Sequence, residues 1–381
     1  MSIRALIILL LCGALIGMLC GCTTQEKEAI DTKEQVGNKV EMENYKVVKD
    51  MWGRDVKIKN NVERVALIDF TGTYIKVLKI WDMDDRVVAV DHSQKKNEFL
   101  RVICPRIENI VDVGSSKEIN YETLASTKPD VVIIRAFVTN KEREDRYKDM
   151  IQKLDEMNIP VVILLHPTSF DKPDVKTMWE EIRILGQIFN KEKEADDLIN
   201  YLNNYVKLIS DRTKDIPEDK RPRVLLFATP DYMLGPGTIQ SYFLEEIVHG
   251  KNVLKEGRWL KTSPEQVLKL NPDALIILGH AGYVSPEEVY EGKDTGFNWK
   301  LVQDINAIKN RKVGSLGITE WRATIEFPIG LLREAKTLYP ERFTDIDPDK
   351  EEIKLYKELY KLDDNTLQEA IKAQRYRGNP H

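Results

Sequence analysis

Two stretches of this chain repeat one another at an interval of 143 residues: NYETLASTKPDVVII from Asn120 to Ile134, and SPEQVLKLNPDALII from Ser263 to Ile277. Each opens on a residue able to cap a helix and places Glu two positions later, at Glu122 and Glu265. An apolar turn, a Pro-Asp pair and a short β-rich run follow. Asn120 and Ser263 offer side-chain oxygens to the orphan N–H groups of the turn they open, and Pro264 suits a first helical position. Pro129 and Pro272 end the helices, so Val131–Ile134 and Ala274–Ile277 are expected as buried strands. A helix–Pro-Asp–strand unit used twice predicts two lobes of related build. Such a chain is expected to hold its ligand between them.

Around the repeats, strands alternate with helical stretches, which favours parallel sheets with helices on their faces. The expected fold class is α/β: two lobes, each with a largely parallel sheet flanked by helices, joined by one long α-helix. Between Gln187 and Ile216 there is neither Gly nor Pro, and Ala195, Leu198, Ile199, Leu202, Tyr205, Val206 and Ile209 share one helical face. Asn190 should interrupt it, leaving a linking helix over 191–214 within a helical connector, 171–220. The N-terminal lobe is expected over 45–170 and the C-terminal lobe over 221–362. Residues 363–381 read as a loosely packed tail.

The first residues address the chain. Arg4 precedes an apolar run from Ala5 to Leu19, and Leu19-Cys20-Gly21-Cys22 looks like a lipobox. A lipoprotein signal over 1–21 would then leave Cys22 as the lipidated first residue, anchoring the protein to the outer face of the cell membrane. Residues 22–44 are polar and without periodicity, as a flexible tether should be. Of four cysteines only Cys104 would remain, so the exported fold must rest on its core. With 57 basic against 62 acidic side chains and no basic block, nucleic acid is not an expected partner. The protein is expected to be monomeric.

Four segments resemble a known family in order: DMWGRDVKIKNNVERVALI, VGSSKEINYETLASTKPDVVI, PEQVLKLNPDALIIL and LYPERFTDIDPDKEEIKLYKELYKL. Between Val47 and Leu362 the chain is similar to the substrate-binding lipoproteins of ABC importers for iron–siderophore complexes, cobalamin and haem. The resemblance implies lobes with little relative motion, a ligand in a shallow cleft, and delivery to a membrane permease driven by an ATPase. It also implies that Glu122 and Glu265 dock onto permease arginines. By itself, Glu at a second helical position complements the helix dipole by roughly 0.3–1 kcal/mol without any partner.

Ligands of open parallel sheets sit beyond the carboxyl ends of the strands. The residues following each expected strand give the candidate ligand-binding set: Tyr74, His92, Arg135, Phe137, Tyr232, Gln240, His280, Tyr283, Trp321 and Arg322. Arg135 and Arg322 suit the charged oxygens of a ferric chelate, because guanidinium forks make paired, charge-assisted hydrogen bonds. Cobalamin, haem or a bare divalent ion are the alternatives, the last through His92, His166, His280 and Glu320. No cofactor is expected apart from that ligand. No Walker loop, nucleotide fingerprint, nucleophile elbow or zinc-protease motif occurs, so a binding protein is expected and not an enzyme; a metal chelatase on a similar fold is the remote alternative.

Overall fold

The computed structural model describes residues 44–378. The expected signal peptide, Cys22 and all but the last residue of the tether lie outside the described residues. Two compact units are distinguished: a small one, of which residues 44–46 and Lys59–Asn61 are described, and the body, made of Val47–Ile58 and the chain from Val62 onward. Everything below concerns the body.

Its N-terminal lobe is built on strands β1 (Val65–Ile68), β2 (Val87–Val90), β3 (Val111–Asp112), β4 (Val131–Ala136) and β5 (Val161–Leu165). They pair in the order β3-β2-β1-β4-β5, parallel throughout. β1, β4 and β5 are buried at every residue, as strands covered on both faces must be. The associated helices are α1 (Thr73–Ile80), α2 (Glu98–Ile103), α3 (Tyr121–Ser126) and α4 (Lys141–Glu156).

The connector consists of two helices. Helix α5 (Lys176–Phe189) starts well before Gln187, Asn190 turns the chain with a left-handed φ of 56°, and α6 (Glu192–Thr213) follows for 22 residues. At 1.5 Å per residue α6 is about 33 Å long. Its Tyr201 and Tyr205 hydroxyls donate to Glu358 and Glu351 at 2.7 and 2.9 Å, and Arg212 pairs with Asp345. α6 is thereby fastened along the C-terminal part of the chain.

The C-terminal lobe carries β6 (Arg223–Thr229), β7 (Tyr232–Leu234), β8 (Lys251–Asn252), β9 (Trp259–Lys261), β10 (Ala274–Ile277) and β11 (Val313–Ser315). The sheet order is β9-β7-β6-β10-β11, with β8 also paired to β6. β6, β8, β10 and β11 are parallel; β7 and β9 add an antiparallel edge. Among its helices, α7 (Pro264–Leu270) is the counterpart of α3. Both halves of the duplicated unit fold as their sequence implies: Asn120 and Ser263 cap α3 and α7, and each helix leads to the strand beside the first strand of its sheet.

The chain closes with α8 (Phe327–Leu338), α9 (Pro348–Tyr360) and α10 (Asp364–Gln374). α10 lies where a loose tail was expected; it buries Leu367, Ala370 and Ala373 and packs against α2 of the other lobe. Its period of apolar residues is short and broken by charges, which hides it in the sequence. A second tie joins the lobes nearby: Lys76 of α1 pairs with Glu326 at 2.6 Å, both side chains wholly buried.

Helix α8 also carries Glu334, buried, with Oε2 lacking a hydrogen-bond partner among the described residues. Burial pushes its carboxyl up to about 8. A carboxyl raised in the folded state contributes stability that is full below about 4.5 and is lost as pH rises through about 8. Glu334→Met should therefore gain on the parent in unfolding free energy as pH rises from 5 to 9, by on the order of a few kcal/mol, read from urea midpoints. A constant difference across that range would show that Glu334 is already compensated.

Candidate functional site

The strand order of the N-terminal sheet reverses between β1 and β4, and in open parallel sheets such a switch point is where a ligand crevice lies, beyond the carboxyl ends. β1 runs out into Asp69-Phe70-Thr71-Gly72. Asp69 is fully buried; its Oδ1 accepts from the Thr71 amide at 3.0 Å and hydroxyl at 2.5 Å, its Oδ2 from the Tyr74 amide at 3.0 Å. Gly72, at φ 67°, makes the left-handed turn into α1 that a side chain would oppose.

β4 runs out into Arg135, and here the structure corrects the sequence reading. The Arg135 fork meets Glu181 of α5 with Nε at 2.6 Å and Nη2 at 2.7 Å, while Nη1 donates to the Thr71 and Thr73 hydroxyls, both at 2.7 Å. Burial opposes its charge, but Glu181 outweighs burial and holds the guanidinium protonated. Tyr74 is buried as well and donates to Glu181 at 2.7 Å. Both residues bind the lobe to the connector; neither offers a group to the crevice. Glu181 was missed, although an acid among Met178, Ile182 and Leu185 on an apolar helical face is a legible sign of a buried partner.

What lines the N-terminal side is aromatic. Phe137 lies edge-on to Phe70 and His166, with ring centroids 5.8 and 5.0 Å apart. His166 is buried, and its Nδ1 accepts from the Thr168 amide at 3.2 Å, which assigns the ring proton to Nε2. Burial, then Arg135 and Arg322, keep it neutral well below its ordinary value. The Thr168 hydroxyl accepts from the Ile239 amide of the opposite lobe at 3.2 Å, so this turn reaches across.

On the C-terminal side His280 follows β10. Its ring lies 4.9 Å from Trp321 and 5.3 Å from Trp259, and Trp259 in turn lies 6.1 Å from Tyr232. Tyr232 and Trp259 are 38% and 40% exposed, so this row of rings runs from the interior to solvent. Trp259 had no sequence signal, being on a three-residue edge strand. Gln240 is buried and donates to the Trp321 carbonyl at 3.0 Å, acting as a brace. The Trp321 indole Nε1 is buried and meets no acceptor among the described residues.

Arg322 completes the set, its guanidinium 5.2 Å from the Trp321 ring. Burial lowers it to about 10, with Asp69 opposing, so it stays charged at neutral pH. Burial and the Arg322 charge together push His280 down to about 4. The crevice thus gathers one buried cation, an imidazole Nε2–H and an indole N–H, framed by aromatic faces. Such a donor set suits an anion that accepts hydrogen bonds.

Three other candidates stand elsewhere. His92 is exposed with Nδ1 2.6 Å from Asp112. Tyr283 feels Arg375 and Arg333, and its amide donates to the Tyr376 carbonyl at 2.8 Å. Glu320 accepts from the Gly317 amide at 2.7 Å and from Arg333 Nε at 3.0 Å. The expected alternative metal set of His92, His166, His280 and Glu320 therefore does not assemble; no group of three or more His, Cys, Asp or Glu able to hold a metal occurs among the described residues. Glu122 and Glu265 are both exposed on the first turns of α3 and α7.

Comparison with known proteins agrees with this architecture. Residues 68–317 match a family model described as periplasmic binding protein. The molybdate-binding protein MolA of Haemophilus influenzae is 27% identical over 341 residues, spanning 83% of this chain and 91% of its own. The high-affinity heme uptake system protein IsdE of Staphylococcus aureus is 27% identical over 265 residues, spanning 67% and 76%. A periplasmic solute binding protein from Veillonella parvula superposes with a TM-score of 0.71 at 24% identity, covering 89% of this chain and all of that one.

Proposed function

The chain belongs to the periplasmic binding protein family, and from that premise we propose that it captures a compact, oxygen-rich metal anion of the molybdate class between its lobes. It is the substrate-binding component of an ABC importer and works with a membrane permease and its ATPase. The observation that carries the ligand reading is the donor-rich crevice: Arg322, the His166 Nε2–H and the Trp321 N–H, with both histidines kept neutral by burial. A relative named for molybdate binding supports it. Lipid anchorage through Cys22, docking through Glu122 and Glu265, and binding without turnover belong to the same proposal.

A second reading has its own observation. The row Tyr232–Trp259–His280 opens to solvent and offers flat faces to a larger ligand, either a ferric siderophore-type chelate or haem. Melting curves of the protein with molybdate, tungstate, sulfate, a ferric catecholate and haem separate the two. Ligand at a hundred times its dissociation constant adds about 2.7 kcal/mol of stability. A shift with molybdate or tungstate is expected. A shift confined to ferric catecholate or haem transfers the function to the second reading, and no shift with any of them sinks both.

A further inference from the structure

The duplicated unit contains more than its helix and its Pro-Asp pair. In the N-terminal lobe, Asp130 Oδ2 accepts from the Glu63 and Arg64 amides at 2.9 Å each, and the Asp130 amide donates to the Arg64 carbonyl at 2.7 Å. The Arg64 guanidinium then reaches the carbonyls just past the end of α3: Nη2 to Thr127 at 2.5 Å, Nε to Thr127 and Lys128 at 3.1 Å. The C-terminal lobe repeats this arrangement. Asp273 Oδ2 accepts from the Arg223 amide at 3.0 Å, the Asp273 amide donates to the Arg223 carbonyl at 2.8 Å, and the Arg223 fork meets Leu270 at 2.8 Å and Asn271 at 3.2 Å.

We propose that Arg64 and Arg223 are positioning residues for docking: they fix α3 and α7 to the entry of each lobe's first strand, so that Glu122 and Glu265 stand at a set spacing. The inference rests on the docking role of those two glutamates. Helices of six and seven residues are too short to hold their own geometry in water. Each is pinned at its start by a side-chain cap, Asn120 to the Thr123 amide at 2.9 Å and Ser263 to the Gln266 amide at 3.2 Å. The carbonyls at the other end are orphans that only an outside donor can satisfy. A planar fork satisfies two at once in a fixed geometry, where lysine offers a point charge on a flexible stem. Both arginines are exposed and neither adds apolar core, so their bonds orient these helices with little effect on the rest of the fold.

The test measures ATP hydrolysis by the cognate permease–ATPase in nanodiscs, titrated with full-length binding protein. Arg64→Met with Arg223→Met should raise the concentration for half-maximal stimulation about tenfold, as expected for the loss of about one net hydrogen bond per lobe. The maximal rate and the molybdate affinity should not change, and Arg→Lys at both sites should recover part of the loss. Each single substitution should give about half the effect on a logarithmic scale, and the singles carry the test if the double variant folds poorly. Unchanged half-saturation in the arginine variants, with docking lost in Glu122→Ala/Glu265→Ala, overturns the positioning role alone. Docking that survives the glutamate substitutions overturns the docking reading, and this inference with it.

Discussion

Arg322→Met is expected to weaken anion binding by about a hundredfold or more, with the melting temperature changed by no more than about 4 °C. A hydrogen bond to a charged group contributes about 1.5–3 kcal/mol, and a guanidinium fork on an oxyanion makes two. Stability should respond weakly because the Arg322 charge is itself costly: burial lowers it to about 10 even with Asp69 opposing. Asp69 keeps its three donors from Thr71 and Tyr74 when Arg322 is gone. Methionine retains much of the stem volume beside Trp321. Calorimetric titration with molybdate checks the first half and thermal unfolding the second. Arg135→Met is the informative contrast. That guanidinium is spent on Glu181, Thr71 and Thr73, so its loss should lower stability first and affinity only as a consequence. Affinity untouched in the Arg322 variant would remove the ligand reading.

How much of this was legible in the sequence divides along a physical line. The duplicated unit was, because capping, Pro-Asp punctuation and a buried strand are all local in sequence and each lobe builds them alone. Its arginine clasp was not, because Arg64 and Arg223 precede the helices they hold by many residues and only folding brings them together. Strand ends directed attention to Arg135, His166, His280 and Arg322, yet sequence cannot say which neighbour satisfies a polar group. Arg135 and Tyr74 face the connector because Glu181 arrives there from α5. Likewise His92 and Glu320 found partners in Asp112 and Arg333, which dissolves the metal set. α10 was unread because its apolar face is narrow and its partner, α2, lies far away in the chain.

That distant packing bears on the second large effect, which concerns the seam between the lobes. Lys76→Met should destabilise the protein by about 3–5 kcal/mol, read as a lowered urea midpoint. The substitution strands Glu326 in a fully buried place: Lys76 sits at 2.6 Å, Tyr360 donates to Oε1 at 2.5 Å and Thr324 to Oε2 at 2.7 Å. Burial alone would raise the Glu326 carboxyl, but Lys76 and the two hydroxyls outweigh it and hold it below the ordinary range. With the ammonium gone, the carboxyl must either take up a proton or remain charged and uncompensated, and either outcome favours the unfolded chain. Lys76→Met combined with Glu326→Leu should recover most of the loss, because the charge that needed a partner leaves as well. The surroundings suit the apolar pair, since Phe99 of α2 packs 5.2 Å from Tyr356 and 6.1 Å from Tyr360 across the same seam. A loss below about 1 kcal/mol in the single variant would match an exposed surface pair and not a buried one, and the seam would then not tie the lobes together.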